Sequence, residues 1–478
     1  MRIMISSLAA MAVLGLVAGC MVGPDYHPPK TATPAQWTSE MAGGETNQSM
    51  TDSAWWKTFN DPELNSLVMR AVQSNLNLRV AEARVREARS LRGVAASGLW
   101  PKINADGSYQ RERLSQNGFP EFPPGIPLEG NVYQAGFDAA WELDVFGGTR
   151  RAIEAANASV GAAEQGRRDV LVSLLGEVAR NYVEARDAQQ RLGIVHNNVT
   201  AQKEQLRLTS DRYHSGLTGE LDVQQAASLL ETTQAEAPER EQDFRQSTYA
   251  LAVLLGLPPG ALVDEMSTNS PVPAMPPVVP AGLPSGLLQR RPDIQRAERQ
   301  LAAATAQIGV ATADLFPKFS LTGDMGLQSV GVSDWFTAGS RFWQAGPTVQ
   351  WRIFDAGQIR ANIRVQNARQ EEALATYEAT VLNSMQDVET ALTGYAKQQT
   401  RRESLAAALG SSRQVVALAE QLYHNGLTDY LPVLDAQRSL YAAEDSLAQS
   451  DRDVALNLVA LYKALGGGWE SFGEEARK

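Results

Sequence analysis

The residue types that most often perform chemistry are sparse in this chain, and their spacing forms no catalytic set. The four histidines are far apart in the sequence, at His27, His196, His214 and His424. There is no Gly-rich phosphate loop, no HExxH motif and no metal-spaced cysteine cluster. His214 and His424 could sense pH beside two helix turns, although solvated turn residues are the commoner case. We therefore expect neither an enzyme nor a metal or cofactor site.

One charged pair lies just after the second of these turns. Leu431, Asp435 and Arg438 follow one another at spacings of four and three, so a helix would place them on one face. In its simplest interpretation, such an acid and base form a solvated ion pair worth less than about 1 kcal/mol.

The only cysteine, Cys20, ends a processing signal. Arg2 provides the positive charge, and an apolar segment too short to span a bilayer follows it. Small residues precede the cysteine, as in a bacterial lipobox. We therefore predict that residues 1–19 are a signal peptide and that Cys20 carries a covalent lipid (diacylglycerol, with palmitate). A buried free thiol behind an ordinary signal peptide is the alternative.

The segment after Cys20 and the overall composition limit the location of the protein. Residues 20–60 are predicted to be a lipidated tether. Met21 and Val22 lack the aspartate of an inner-membrane retention signal, so sorting to the outer membrane is expected. The net charge of −11 argues against nucleic-acid binding. The mature chain has no run of 18 or more apolar residues, so any part that crosses a membrane must do so as strands.

The sequence contains one unit twice. YHSGLT at 213–218 returns as YHNGLT at 423–428, and Trp141 meets Trp351 at the same offset of 210 residues. Farther upstream the offset is 216. Such self-similarity indicates one structural unit used twice. The predicted divisions are a first repeat at 61–256, a Pro-rich equatorial connector at 257–283, a second repeat at 284–466 and a C-terminal tail at 467–478.

Each repeat is predicted to contain long helices and two strands. Two segments of roughly 100 Å, at about 1.5 Å per residue, end at hairpin tips near 213–220 and 423–430. Shorter helices would stack end to end beside them. The predicted helices are Asp61–Gly98, Gly148–His214, Glu220–Gly256, Pro284–Asp314, Gly357–His424 and Asp429–Gly466.

Four stretches alternate polar and apolar residues, at about 102–113, 131–142, 318–328 and 342–353. Each has the length of a tilted transmembrane strand, about ten residues. Four strands leave two open edges, which cannot face lipid, and are too few to close a barrel. Strands from further copies of the chain must complete it. Two copies or three would both do so.

Several strings, in the same order, resemble the outer membrane factor family (TolC-like), and within it the OprM/NodT-type efflux lipoproteins. The resemblance implies a mainly α fold with a membrane β-barrel portion, in which a trimer forms a 12-stranded β-barrel on a 12-helix periplasmic α-barrel. The strings that carry it include GPDYHPP at 23–29, WWKTFNDPELNSLV at 55–68, WELDVFGGTRR at 141–151, RRPDI at 290–294, WRIFDAG at 351–357 and YLPVLDAQRSLY at 430–441.

The same resemblance implies a function. The chain would be the exit duct of a tripartite efflux system and would dock a periplasmic adaptor and an inner-membrane pump, which would be proton-driven. The outer-membrane component of type I protein secretion is an alternative. A scaffolding lipoprotein with a solid stalk and a lipoprotein hydrolase are weaker ones. The sequence does not indicate which substrate is transported.

In related ducts, positions that match Leu431, Asp435 and Arg438 line the closed periplasmic aperture, and Tyr423 matches a position in the network that holds it shut. Three copies of Asp435 around an axis would attract cations. The first repeat lacks the charged pair, so we expect only the second hairpin to form the aperture. Its equivalent positions are Leu221, Gln225 and Ser228.

Overall fold

The computed structural model describes residues 21–39, 44–46, 54–115, 127–273 and 279–472. The predicted signal peptide and Cys20 lie outside them. The described residues form two compact units, and each unit takes segments from both sequence repeats. The first unit contains the residues up to Pro29 with Val85–Ala163 and Ala297–Tyr377, and the second contains Lys30–Arg84, Glu164–Arg296 and the chain from Glu378 onward.

Helices dominate the described chain, and the two longest have 67 residues each. Both long helices end at the predicted hairpin turns. The α-helices, numbered in chain order, are α1 Pro62–Ser74, α2 Leu76–Ser97, α3 Gly148–His214, α4 Glu220–Gln234, α5 Ala237–Leu254, α6 Val263–Met266, α7 Leu287–Arg290, α8 Pro292–Ala313, α9 Gln358–His424 and α10 Leu431–Ala464.

The predicted single helix over Asp61–Gly98 is wrong, because the chain breaks at Asn75 into α1 and α2. The Asn75 backbone is extended, with φ −62° and ψ 128°. Its side-chain oxygen accepts a hydrogen bond from the Leu78 amide at 2.9 Å, and its side-chain amide donates to the Leu254 carbonyl at 2.8 Å. Asn75 therefore caps the second helix, as short polar side chains commonly do.

Two other predicted helices are also interrupted, and a proline accounts for each break. Pro292 disfavours helical backbone at the preceding residue, and Arg291 is extended with ψ 118°. The long helix α8 therefore begins at Pro292, and residues 284–291 form only short helical turns. Pro238 stands in the first turn of α5, and because proline has no amide hydrogen the helical hydrogen-bond pattern is interrupted there. Residues 220–256 therefore form two helices, α4 and α5.

The first unit contains an antiparallel sheet of four strands, β2, β3, β5 and β6 in that order. The strands β2 and β6 form its edges. The predicted strand 342–353 was too long, because β6 ends at Gln350. The strands are β1 Glu45–Thr46, β2 Lys102–Arg113, β3 Glu129–Leu143, β4 Val279–Pro280, β5 Lys318–Ser329 and β6 Arg341–Gln350.

Small irregular elements belong to the second unit. The strand β1 pairs in parallel with β4, so the N-terminal segment joins the Pro-rich connector. Trp55 is buried and stacks on Tyr462 at a ring-centroid distance of 5.1 Å. The Trp37 indole donates to the Gly282 carbonyl at 2.9 Å. Aromatic burial of this kind stabilises elements that are too short to fold alone.

Within the described residues, no single helix combines the length and apolarity needed to cross a bilayer. Among these residues, the one combination that meets both requirements joins Glu220–Leu254, which contains α4 and α5, to Pro259–Met266 at a bend of 109°.

Candidate functional site

The four-stranded sheet has two chemically different faces. Strand registers place alternate residues of all four strands on one face. One face carries mostly apolar side chains, many of them exposed, with charged residues such as Arg111 and Glu129 at one end, while the other is mainly polar. The apolar face contains Ile103, Ala105, Tyr109, Tyr133, Phe137, Trp141, Phe319, Leu321, Met325, Leu327, Trp343, Pro347 and Val349, and the polar face contains Asn104, Asp106, Ser108, Gln134, Asp138, Ser320, Thr322, Asp324, Gln344 and Thr348.

A sheet with one apolar face and one polar face can separate lipid from water. An exposed apolar face of this size is unfavourable in water, whereas it is the composition of the lipid-facing side of transmembrane strands. On the polar face, the Asn104 amide donates to the Asp138 carboxylate at 2.9 Å. Among the described residues, β2 and β6 each have a single paired neighbour, so one edge of each strand is open.

Aromatic residues lie towards both ends of the sheet. Tyr109 and Tyr133 are cross-strand partners, with ring centroids 5.0 Å apart. At the opposite end, Trp141 donates its indole hydrogen to the Leu99 carbonyl at 2.9 Å, and Trp351 does the same to a repeat-equivalent carbonyl. Rings with one apolar and one polar end favour membrane–water interfaces.

The two helix turns in the second unit have the same backbone geometry. Gly216 and Gly426 have φ values of +75° and +71°, a left-handed conformation that favours glycine after a helix. In each turn the glycine amide bonds the carbonyl three residues earlier, at 2.9 Å and 3.0 Å. The following leucines, Leu217 and Leu427, are both exposed. The repeated motif therefore encodes one turn used twice.

Side-chain packing at the two turns differs. Tyr423 is 2% exposed, whereas its repeat equivalent Tyr213 is 41% exposed. Tyr423 packs against the buried Tyr430 at a ring-centroid distance of 5.6 Å. Burial raises the pKa of Tyr430 to about 12. These two tyrosines share an apolar cluster with residues of α4, α9 and α10, among them Ala226, Val416 and Val433.

The predicted aperture residues divide into two groups. Leu431, Asp435 and Arg438 are all exposed on α10, whereas Tyr423 is buried behind the turn. No ion pair between Asp435 and Arg438 is found in the described part of the chain, so the simple i,i+3 pair does not form. In the first hairpin, Leu221 is likewise exposed.

Arg212, in the last turn of α3, was not singled out by the sequence. Its guanidinium carbon lies 4.6 Å from the centroid of the Tyr423 ring, and its Nη1 donates to the Tyr423 carbonyl at 3.2 Å. The two residues are 211 positions apart, and only the folded chain brings them together. Sequence periodicity carries no signal for such a contact.

A buried group of charges between α3 and α10 was also missed. Asp187 is 4% exposed and lies 3.4 Å from Arg452 and 3.8 Å from Arg191. Arg191 in turn binds Asp445 at 2.6 Å. Burial raises the pKa of Asp187 to about 6, although both arginines oppose the shift. At these distances, desolvation of the carboxylate outweighs its attraction to the arginines.

Two of the histidines, His214 and His424, occupy equivalent positions at the two helix turns. His214 bonds the Ser210 carbonyl through Nδ1 at 2.8 Å and is exposed, as is His424. Across the described residues, no group of three or more His, Cys, Asp or Glu side chains has the arrangement of a metal site. Cys20 lies outside the described residues.

Comparison with known proteins identifies the family. The model of the family described as outer membrane efflux protein matches residues 67–257 and 283–467. The solvent efflux pump outer membrane protein SrpC of Pseudomonas putida is 35% identical, over 97% of this chain and 98% of its own. Nodulation protein T of Rhizobium leguminosarum bv. trifolii is 31% identical, over 95% and 96%.

Solved structures of outer-membrane channels resemble the chain over most of its length. The outer-membrane channel OprN is 38% identical, with a TM-score of 0.88 over 94% of this chain and all of that one. The open-state MtrE channel of Neisseria gonorrhoeae is 28% identical, with a TM-score of 0.82 over 94% and 99%. The predicted resemblance and the fold class are thereby confirmed: helical-barrel and β-barrel elements in one chain. Members of this group are channels rather than enzymes.

The same family is indicated by the amphipathic sheet, by the repeated helix turns and by the comparisons. The chain belongs to the outer membrane efflux protein family, whose members are TolC-like exit channels of efflux pumps, located in the outer membrane with a periplasmic extension.

Proposed function

We propose that the chain acts as a homotrimer in which twelve strands close one β-barrel. The observation that carries this proposal is the sheet, with an apolar face, a polar face and two open edges. Each unpaired backbone group in lipid costs on the order of several kcal/mol, so the edges must find partners. Edge pairing between copies satisfies these groups, and the polar faces then line a water-filled pore.

The proposed partners are a periplasmic adaptor and an inner-membrane pump. Relatives are named as outer membrane proteins of solvent, toluene, antibiotic and cation efflux systems. We propose small organic solutes as the cargo, because two relatives that are each 35% identical to this chain are named for solvent and toluene efflux. The chain would supply the passage, and the pump would supply the energy.

The remaining assignments concern the chain's ends and divisions. Residues 1–19 would be removed, and Cys20 would carry the lipid that anchors the tether 20–60. Two functional repeats, 61–256 and 284–466, would flank the connector 257–283. The covalent lipid is the only non-protein group in this proposal.

The periplasmic aperture is assigned to the second hairpin. Leu431, Asp435 and Arg438 are exposed on one face of α10, so they are free to meet their counterparts around a threefold axis. Leu431 would plug the closed duct, and three Asp435 carboxylates would form a ring that attracts cations. Tyr423, which is buried beneath the turn, would stabilise the turn that carries this face.

Two measurements on the purified mature protein test the proposal. Native mass spectrometry in detergent should give a trimer, and planar bilayers should show discrete single-channel conductance steps. A stable monomer would refute the assembly. A trimer that never conducts, even with the aperture residues replaced by alanine, would favour the scaffolding alternative.

A further inference from the structure

The N-terminal segment 21–29 is bound by one arginine at the start of α3. Arg151 is 2% exposed, and all three nitrogens of its guanidinium donate hydrogen bonds. One acceptor is Glu154 at 2.7 Å, on the same helix. The others belong to the segment: the Val22 carbonyl at 3.1 Å, the Gly23 carbonyl at 3.3 Å and the Asp25 carboxylate at 2.6 Å. A buried guanidinium needs such partners, so the segment supplies most of what stabilises this charge.

Two glycines allow the segment to approach the helices this closely. Gly23 has a φ of +89°, a conformation that favours glycine, and a Cβ at this position would collide with the Gly309 Cα on α8. A Cβ on Gly309 would in turn lie 2.7 Å from the Cγ of Arg151. The segment, Arg151 and α8 therefore fit together only because both positions lack a side chain.

The other repeat lacks this binding site. The offset of 210 relates Arg151 to Ala361, and the offset of 216 relates Gly309 to Gly93. Within the described residues, a Cβ on Gly93 would meet no atom within 4 Å. A chain with two repeats has a single N-terminus, so only one copy needs to bind it. Binding of the N-terminal segment thus accounts for this difference between the repeats.

The bound segment leads to the end of the sheet. The Val22 amide donates to the Phe146 carbonyl at 3.2 Å, shortly after β3 ends at Leu143. The Phe146 ring stacks on Phe316 with centroids 4.5 Å apart. The chain from Cys20 to Val22 spans at most about 7 Å. A lipid on Cys20 would therefore enter the bilayer beside the end of the sheet from which α3 continues.

We propose that Arg151 and Gly309 form an anchor seat, which fixes the N-terminal segment so that the lipid on Cys20 enters the membrane at one defined place beside the sheet. This inference rests on the proposed lipid at Cys20 and adds the residues that position it. The next side-chain hydrogen bond along the segment joins Tyr26 to Glu298. With that contact alone, the lipid would be held by about six residues of chain, which reach about 20 Å. The hydrocarbon core is only about 30 Å thick, so such a lipid would have no fixed place.

The test uses the lipidated trimer with a nitroxide label at position 24. Cys20 is the only cysteine, and the lipid would block its thiol, so Pro24→Cys provides one free thiol per chain. In this background, Gly309→Ala is compared with Gly93→Ala. Each variant adds one methyl group to a helix interior, where alanine is favoured over glycine. Only the methyl group at 309 meets the side chain of Arg151.

Asp25→Asn is a second variant that weakens the seat. The Asp25 side chain is 78% exposed, so its replacement leaves the packed interior intact while removing the charge that Arg151 binds. Retention of the trimer shows that each variant has folded. Mass spectrometry of the N-terminal peptide shows whether it carries the lipid.

Two measurements report on the segment. The distances between the three labels of one trimer should have a narrow distribution in the parent and in Gly93→Ala. They should have a broad one in Gly309→Ala and in Asp25→Asn. Without the label, hydrogen exchange of the Val22 amide should accelerate about tenfold or more in the latter two variants, because hydrogen bonds to a charged group are lost.

The outcomes separate the seat from the lipid and from the assembly. Unchanged exchange at Val22 in Gly309→Ala overturns the seat, as does equal acceleration in Gly93→Ala, and both results hold in any state of assembly. Faster exchange with label distances that stay narrow overturns the positioning role. An N-terminal peptide without lipid refutes the assignment of Cys20, and the anchor role of the seat fails with it.

Discussion

The indole nitrogen of Trp141 lies 2.9 Å from the carbonyl oxygen of Leu99, at the end of the sheet that leads into the helices. Trp351 and Leu315 reproduce the contact at 3.1 Å. The tryptophans are separated by 210 positions and the leucines by 216. The internal repeat is therefore preserved in individual hydrogen bonds as well as in the order of the elements.

This equivalence predicts the register between neighbouring chains. Within one chain, Ala135 of β3 lies opposite Leu327 of β5. The repeat offsets convert this pair into Ala345 of β6 and Arg111 of β2 in the next copy. Cysteines at these two positions together should form an interchain disulfide under mild oxidation, since opposed Cβ atoms lie about 4.5–5.5 Å apart. The product is measured on a non-reducing gel.

The matched control moves one cysteine to Gln110, whose side chain points to the other face of the sheet. That pair should not cross-link. Equal cross-linking from both pairs would contradict the register, and no cross-linking from either pair would argue against pairing of β6 with β2.

A second prediction concerns the aperture. Replacing Leu431 and Asp435 with alanine should raise the conductance of the closed duct and let a large antibiotic such as vancomycin enter cells, because the apolar plug and the charged ring are both lost. The matched variant replaces Leu221 and Gln225, the equivalent positions of the first hairpin. It should have a much smaller effect. Similar results from the two variants would remove the asymmetric aperture.

A third prediction concerns Cys20. Replacing it and supplying a cleavable signal should leave a protein that still inserts into the outer membrane, because the strands carry the lipid-facing surface. Fractionation followed by a trimer assay would measure this. If the variant stayed entirely in the periplasm, the sheet could not be the membrane-spanning part.

A fourth prediction concerns Asp187, whose pKa is raised to about 6 from an ordinary value of 3.8. The folded chain therefore holds this proton more tightly than the unfolded chain does. The resulting stabilisation is complete below about pH 4 and is lost as the pH rises through about 6. Relative to Asp187→Asn, the wild type should gain roughly 1–3 kcal/mol between pH 7 and pH 4.

Thermal unfolding of both proteins across this pH range measures the difference. The asparagine variant keeps the size of the side chain and removes its titration. Parallel stability curves for the two proteins would show that Asp187 does not contribute the expected proton linkage.

The sequence predicted what depends on local patterns. Strict alternation located the strands, and the glycines at 216 and 426 located the turns. It missed the break at Asn75, where the capping partners include Leu254, far away in the sequence. It also missed Arg212 and Asp187, because contacts between distant helices have no local period. The solvated ion pair of Asp435 and Arg438, the simpler alternative to an aperture role, did not form, since correct spacing along a helix allows such a contact without requiring it.

The open edges of the sheet have a consequence for stoichiometry. The strand β2 comes from the first repeat and β6 from the second, so a ring closed through these edges alternates the two repeats. A trimer would then present six helix turns of two kinds, three with an exposed tyrosine and three with a buried one. An adaptor that recognises the shared Gly-Leu-Thr sequence would find six binding positions, whereas one that recognises the exposed Tyr213 would find three. The number of adaptor chains bound per trimer therefore reveals which of these features the adaptor recognises.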